Sequence, residues 1–378
     1  MPSKEWDVVI VGGGLGGLSL AVELAQPAFS HLRILVLERR DHYARDRTWS
    51  YWATQTHRYM PLERKRWNQW CVQHGGRRIE QKSDQAYCTI DGDKFYAYAQ
   101  AQIASAPHVE LRLGVSVKEI VDASHPYLVF EDGTQISSAW IMDARPDSVL
   151  AAESLFQHFL GWEVHTETDC FNDDMVELMD FQVASSGLHF FYILPYSPRS
   201  ALVETTWISN AAHAPDYQAE LETYLRQRLG ITHYQKVYQE QGRLSLQTQV
   251  RQTSSRRVIP LGRGAGTLRP STGFAFMETI ADAQRIARCF SRNAIETVVI
   301  TPYQQNHVNL WMDKVFFEAM TSSGSNAPDY FMGLCEGVEP DSLVVFLSGH
   351  PSFVQRLTVA MQLPKLHFSR AGMRTIRT

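Results

Sequence analysis

Near the start of the chain, two short apolar runs flank a stretch of helical apolar spacing. Residues 7–11 (DVVIV) and 32–37 (LRILVL) read as buried strands, and residues 18–24 between them repeat apolar positions at helical spacing. Strand, helix and strand in that order make a βαβ unit and imply a parallel sheet. Residues 42–80 are polar, aromatic and without a clear period. Residues 95–105 suggest a helix, and 109–117, 127–130 and 136–142 suggest strands, with a hairpin turn at Glu131-Asp132-Gly133. From residue 151 the pattern changes to short strands at 156–165, 176–183, 189–194 and 201–208, which suggest an antiparallel sheet. Residues 216–229 read as a helix, 257–261 as a strand, 274–289 as a helix, and 301–378 as mostly helical.

The first strand runs into Gly12-Gly13-Gly14-Leu15-Gly16-Gly17, which satisfies G-x-G-x-x-G. Gly12 permits the tight turn, Gly14 lets a pyrophosphate approach the backbone, and Gly17 lets the helix pack on the strand. Glu38 ends the second strand, where a carboxylate accepts hydrogen bonds from a ribose diol. These features predict a dinucleotide. An N-terminal βαβ followed by a long interruption favours FAD over NAD. So does a returning segment that carries Gly262, Pro270 and Gly273. The expected fold class is α/β. A Rossmann-like FAD-binding domain (1–150 and 256–300), of the glutathione-reductase/p-hydroxybenzoate-hydroxylase-like flavoprotein type, carries an inserted antiparallel β-sheet substrate domain (151–255). A helical C-terminal region (301–378) follows.

Composition narrows the function classes. The chain has 378 residues, 44% hydrophobic and 20% charged, as globular proteins do. A formal net charge of −4 gives no basic field for nucleic acid. Cys71, Cys88, Cys170, Cys289 and Cys335 stand singly without a CxxC, which predicts reduced thiols and no metal site. The first residues lack the pattern of a signal peptide, and no apolar run reaches the ~18 residues that would span a bilayer.

Segments along most of the chain resemble bacterial lycopene β-cyclases of the flavoprotein type. They include Arg47-Thr48-Trp49-Ser50, Phe159-Leu160-Gly161-Trp162-Glu163, Leu178-Met179-Asp180-Phe181, Leu202-Val203-Glu204-Thr205-Thr206 and Arg269-Pro270-Ser271-Thr272-Gly273-Phe274. The resemblance implies closure of the acyclic ends of lycopene into β-ionone rings, giving γ- and β-carotene. The reaction is a net isomerisation that uses reduced FAD, with NAD(P)H as reductant. A flavin monooxygenase, or a cyclase-like flavoenzyme acting on another polyene or prenylated metabolite, is the alternative on the same fold.

Such a cyclisation needs an acid for the terminal alkene, surroundings that tolerate a carbocation, and a base for a ring proton. A carboxylic acid in an apolar pocket stays protonated near neutral pH. Glu204, in the apolar stretch Ala201-Leu202-Val203-Glu204, is the expected acid, and it matches the first glutamate of the family motif. Thr205 stands where many relatives have a second acid, so Glu163, Asp180 or the reduced flavin is left to act as second acid or base. Trp49, Trp52, Phe191, Tyr192 and Trp207 are the expected aromatic lining for the cation, and Arg47 and Arg269 are expected near the flavin.

A long hydrocarbon substrate implies a membrane surface as partner. The expected location is cytoplasmic, peripheral on the inner face of the membrane. Val344-Val345-Phe346-Leu347 and Val315-Phe316-Phe317 are the expected docking face, and Lys365, Arg370, Arg374 and Arg377 an accompanying basic end.

Overall fold

The computed structural model describes residues 6–145, 155–184, 187–210, 215–246, 250–251, 253, 256–291, 294–323 and 327–375. The expected boundary at 150/151 and Arg377 lie outside them. In chain order the first elements are β1 (Trp6–Val11), α1 (Leu15–Leu24), β2 (Ile34–Leu37), β3 (Thr48–Trp52), β4 (Lys65–His74), β5 (Arg77–Asp91), α2 (Gly92–Ala104), β6 (Val109–Arg112), β7 (Val117–Val121), β8 (Tyr127–Phe130) and β9 (Gln135–Asp143). Then come β10 (Leu155–His165), β11 (Met175–Gln182), β12 (Leu188–Ser197), β13 (Ser200–Asn210), α3 (Tyr217–Thr223), β14 (Gln235–Ser245), β15 (Val258–Pro260) and α4 (Phe276–Phe290). The C-terminal helices are α5 (His307–Ser323), α6 (Ala327–Gly337), α7 (Pro340–Leu347), α8 (Phe353–Gln362) and α9 (Lys365–Thr375).

Two sheets organise the molecule. The first runs β6-β2-β1-β9-β8-β7, with β15 also paired to β9. Its β6, β2, β1, β9 and β15 are parallel, and the β7–β8–β9 meander is antiparallel. Val8, Ile10, Ile34 and Val36 pack under α1, α2 and α4, while Val9, Val11, Leu35 and Leu37 pack on the opposite face with Leu128 and Val258. Burial on both faces explains the unbroken apolar runs of β1 and β2.

The second sheet runs β14-β10-β13-β12-β11-β4-β5-β3. It is antiparallel except where β11 meets β4. Three of its strands therefore come from residues 48–91, ahead of the stretch expected to build it, and residues 42–80 are irregular only outside these strands. The reason is local: β4 shifts register between Trp67 and Gln69, and then buries Trp70, Cys71 and Val72 in succession. A bulge breaks two-residue alternation, so the strand loses its sequence signature.

The two faces of this sheet have different covers. Leu160, Trp162, Val164, Phe191, Ala201 and Val203 pack against Leu221, Tyr224 and Leu225 of α3 and the turn after it. Trp52, Trp67, Trp70, Tyr87, Leu194 and Leu202 pack against Met332, Leu343, Val344 and Phe346 of the C-terminal helices. Val344 and Val315 are thus interior residues, which corrects the expected docking face.

Candidate functional site

The glycine turn has the shape its spacing predicts. Gly12 adopts φ +104°, and a side chain there would press on the Ala144 backbone at 3.1 Å. A Cβ on Gly17 would lie 1.9 Å from the Gly12 carbonyl oxygen, so only glycine allows α1 to start this close to β1. Around Gly14 a Cβ would meet nothing within 4 Å, and α1 starts there without a side-chain cap. The approach to the start of α1 at Gly14 is therefore open, as an anion at a helix N-terminus requires. Glu38 is buried at the end of β2 and accepts from Gly13 N at 2.5 Å and from Arg40 Nε at 3.0 Å. Burial pushes its carboxyl up, but hydrogen bonds from the Arg40 backbone and guanidinium and from Gly13 outweigh this and hold it below the usual range.

The returning segment reaches both sheets. β15 extends the first sheet beside β9, and Gly262 follows at φ +57°, close enough that a Cβ on Gly16 would lie 3.3 Å from its nitrogen. Pro270 is buried in a turn closed by Gly273 N donating to Arg269 O at 2.8 Å. Gly273 rests on the second sheet: a side chain there would strike Gln157 Oε1 of β10 at 2.7 Å. Arg269 is committed elsewhere, to Asp313 at 3.1 Å and to the Phe346 carbonyl. Arg47 is half exposed and pairs with its neighbour Asp46 at 2.8 Å.

Glu204 lies on the face of the second sheet turned toward the C-terminal helices. It stands in register with Gly161 of β10 and Tyr192 of β12, and only 6% of it is exposed. Thr206 Oγ1 donates to its Oε1 at 2.6 Å. Burial, and after it the charge of Glu240, push the Glu204 carboxyl up to about 8. Glu240 of β14 is the next strand's neighbour of Gly161, and burial pushes it up to about 7. The Tyr192 hydroxyl donates to the Tyr87 hydroxyl at 2.9 Å beside Glu204, and Trp52 packs edge-on to Tyr87 at 4.7 Å.

Glu163, two residues along β10, is in the opposite condition. Arg64 grips it through Nη2–Oε1 and Nη1–Oε2 contacts of 2.7 and 2.8 Å, and Arg45 adds a third at 2.7 Å. Burial opposes ionisation, but these guanidinium bonds hold the carboxyl down to about 2. It is a fixed anion and not a proton donor. Asp180 is on the other face, bonded to Tyr224 Oη at 2.7 Å and Arg228 Nε at 3.2 Å. Phe191 stacks on Tyr224 at 3.7 Å, and Trp207 stacks on His189 at 4.3 Å and donates to Glu220 of α3. Asp180, Phe191 and Trp207 are therefore separated from Glu204 by the thickness of the sheet. Trp49 packs on Phe95, Tyr96 and Phe276 in the first core. Of the expected aromatics, Trp52 and Tyr192 join the Glu204 side.

A cleft of about 490 Å³ opens between the returning segment and the C-terminal helices. Trp52 and Phe274 line it, and both pack on Tyr87, at 4.7 and 6.1 Å. Pro351 and Arg356 line it too, where α8 begins. Among the described residues no cluster of ligands for a metal ion occurs, and no helix is long and apolar enough to cross a membrane.

A sequence profile described as "Lycopene cyclase protein" matches residues 7–373. The chain belongs to the lycopene cyclase family. It is 27% identical over 290 residues to the lycopene beta-cyclase of Paracoccus sp. (strain N81106 / MBIC 01143), covering 71% of this chain and 70% of that protein. Its fold is that of flavoproteins. A geranylgeranyl bacteriochlorophyll reductase-like protein from Thermoplasma acidophilum superposes with a TM-score of 0.63 at 15% identity, over 97% of this chain and 98% of that one. A flavoprotein/dehydrogenase from Cytophaga hutchinsonii gives 0.60 at 11% identity, over 98% and 99%.

Within this cyclase-family chain, sequence reasoning missed Glu240, Tyr87 and the pair Arg45 and Arg64. Tyr87 lies on β5, among the strands that the sequence did not reveal. Glu240 had no local signal, because all the remaining described positions of its strand are exposed or half-buried. Only the register of β14 on β10 places it opposite Gly161.

Proposed function

We propose that this protein is a lycopene β-cyclase that closes acyclic polyene ends by proton chemistry, with FAD held in its reduced form by NAD(P)H. The observation that carries the proposal is a carboxylic acid, Glu204, kept protonated near neutral pH on a buried face beside the Tyr87–Tyr192 pair. Gly12, Gly14 and Gly17 would hold the pyrophosphate, Glu38 the ribose, and the Gly262–Gly273 segment the part of the cofactor nearest the second sheet. When bound, the reduced cofactor supplies negative charge close to a developing cation. Glu204 gives its proton to the terminal alkene carbon and is left as a carboxylate. The π faces of Tyr87, Tyr192 and Trp52 favour the resulting positive charge, the neighbouring double bond attacks that cation to close the ring, and one ring proton passes to the Glu204 carboxylate, so the acid is regenerated and the product is an isomer. The polyene enters through the cleft beside Trp52 and Phe274.

The substrate comes from a bilayer, so the reading includes peripheral attachment to the cytoplasmic face. Phe353, Val354, Leu357 and Met361 form one exposed stripe on α8, with Phe353 76% exposed. Leu366 and Met373 are exposed on α9, as are the cations Lys365 and Arg370. Apolar wedge and flanking cations together suit an anionic lipid surface, and α8 starts at the rim of the cleft. A Phe353→Asp/Leu357→Asp variant is expected to lose about tenfold in binding to anionic vesicles, with its melting temperature unchanged.

The deciding experiment is anaerobic incubation with lycopene in vesicles, FAD and NADPH, followed by chromatography. Cyclised carotene is expected, with far less NADPH oxidised than rings formed. Unchanged lycopene overturns the reading, and oxygen-dependent product with matched NADPH consumption replaces it with a monooxygenase.

A further inference from the structure

We infer that Glu240 is the second carboxyl of this site, a positioning residue that keeps the proton on Glu204; the inference rests on the acid role proposed for Glu204. The geometry is a row across three strands. Glu204 of β13 and Glu240 of β14 flank Gly161 of β10 in register. Gly161 has no side chain to part them: a Cβ there would lie 3.5 Å from Glu204 Oε2 and 3.4 Å from Glu240 Cγ. The two side chains therefore meet above the glycine, on one face of the sheet.

A neighbour along the strand cannot take this role. Consecutive strand residues point to opposite faces, and Thr205 does so, donating to Glu220 of α3 at 2.6 Å. A partner for Glu204 has to come from across the sheet, and Glu240 is the carboxylate that lies there. It is buried and accepts from Tyr238 Oη at 2.8 Å. Among the described residues it makes no ion pair. Arg45 faces it over the Tyr238 ring at 3.7 Å, but the Arg45 guanidinium is bound to Glu163 at 2.7 Å and Asp91 at 3.1 Å. Around Glu204 the facing groups are Tyr87, Tyr192 and Thr206, none of them charged near neutral pH. Burial raises both carboxyls, and the charge of Glu240 adds to the rise at Glu204. Two such groups retain a proton between them near neutrality.

The test is infrared titration of the full chain without substrate, reading the protonated-carboxyl stretch that Glu204→Gln removes. In Glu240→Gln its midpoint is expected to fall by about one pH unit, because a neutral neighbour no longer repels the Glu204 carboxylate. In Glu240→Asp it stays near the wild-type value. The alkaline limb of the cyclisation rate moves down by the same amount, to about a tenth of the wild-type rate at pH 9. Should Glu240→Gln fail to fold, Tyr238→Phe replaces it. Loss of that hydrogen bond disfavours charged Glu240 and lowers the Glu204 midpoint by a smaller step. An unmoved or raised midpoint in the variant that folds overturns the inference. A normal shift in a protein that leaves lycopene unchanged keeps the carboxyl pair and removes the proposed reaction.

Discussion

Glu163 and Glu204 lie on adjacent strands and the same face of one sheet, within two residues of being directly opposite. Both are almost fully buried. One is held ionised by Arg45 and Arg64, and the other is held protonated by burial and by a like-charged neighbour. Burial alone therefore does not decide what a carboxyl does; the identity of its partners does. The sheet places an anchor and an acid side by side. The anchor fastens the strand to the segments before β3 and β4, and the acid is free to give up a proton.

The largest effect that would break this comparison is on catalysis. Glu204→Gln is expected to lower cyclisation about 10³-fold, whereas the same change at Glu163 acts through folding. A Glu204→Gln enzyme with ordinary turnover would end the assignment. Next comes stability. Glu163→Gln leaves buried guanidinium charge uncompensated and is expected to cost about 3 kcal/mol at pH 7, read from denaturant midpoints. A cost near zero would mean that Asp91 alone holds both arginines.

The pH dependence separates the two carboxyls by sign. The folded-state value of Glu204 is raised, so its contribution is intact below the ordinary carboxylate range and is lost as pH rises through about 8. Removing it with Glu204→Gln should make the protein more stable than wild type at pH 9, by up to about 4 kcal/mol. The value of Glu163 is lowered, so its contribution is present above the ordinary carboxylate range and lost only as pH falls through about 2. Melting curves of both Gln variants, compared with wild type between pH 2 and pH 9, should therefore diverge in opposite directions, and parallel curves would refute the contrast. The smallest effect sharpens it. Arg64→Met should raise the Glu163 carboxyl by about one pH unit, visible in the same infrared window, without moving Glu204.

What could be read beforehand divides along the same physical line. The glycine turn, Glu38 and the βαβ unit were legible because the motif glycines, both strands and the acid all lie within the first forty residues. Glu204 was legible through its motif. The second sheet was only half legible, since β3, β4 and β5 join it from 48–91 and a bulge hides the alternation of β4. Asp180, Phe191 and Trp207 were grouped with Glu204 by motif and chemistry, but strand alternation and the α3 cover send them to the other face. Glu240 could not be found without pairing strands far apart in the chain. Val344 and Val315 were read as exposed because apolar content does not distinguish a packed helix such as α7 from one with exposed apolar residues such as α8.

The pairing of β4 with β11, and of β9 with β15, has a consequence for how the molecule is made. Gln69 waits for Met175, and Ile141 waits for Val258, so neither sheet is closed while its first strands are leaving the ribosome. Contacts of such long sequence separation form late and slowly. The dinucleotide turn, although it is encoded first, gains its last neighbour, Gly262, only after the acid-bearing sheet has been synthesised. Assembly order thus ties the two halves together, and the nascent chain exposes open strand edges for much of its synthesis.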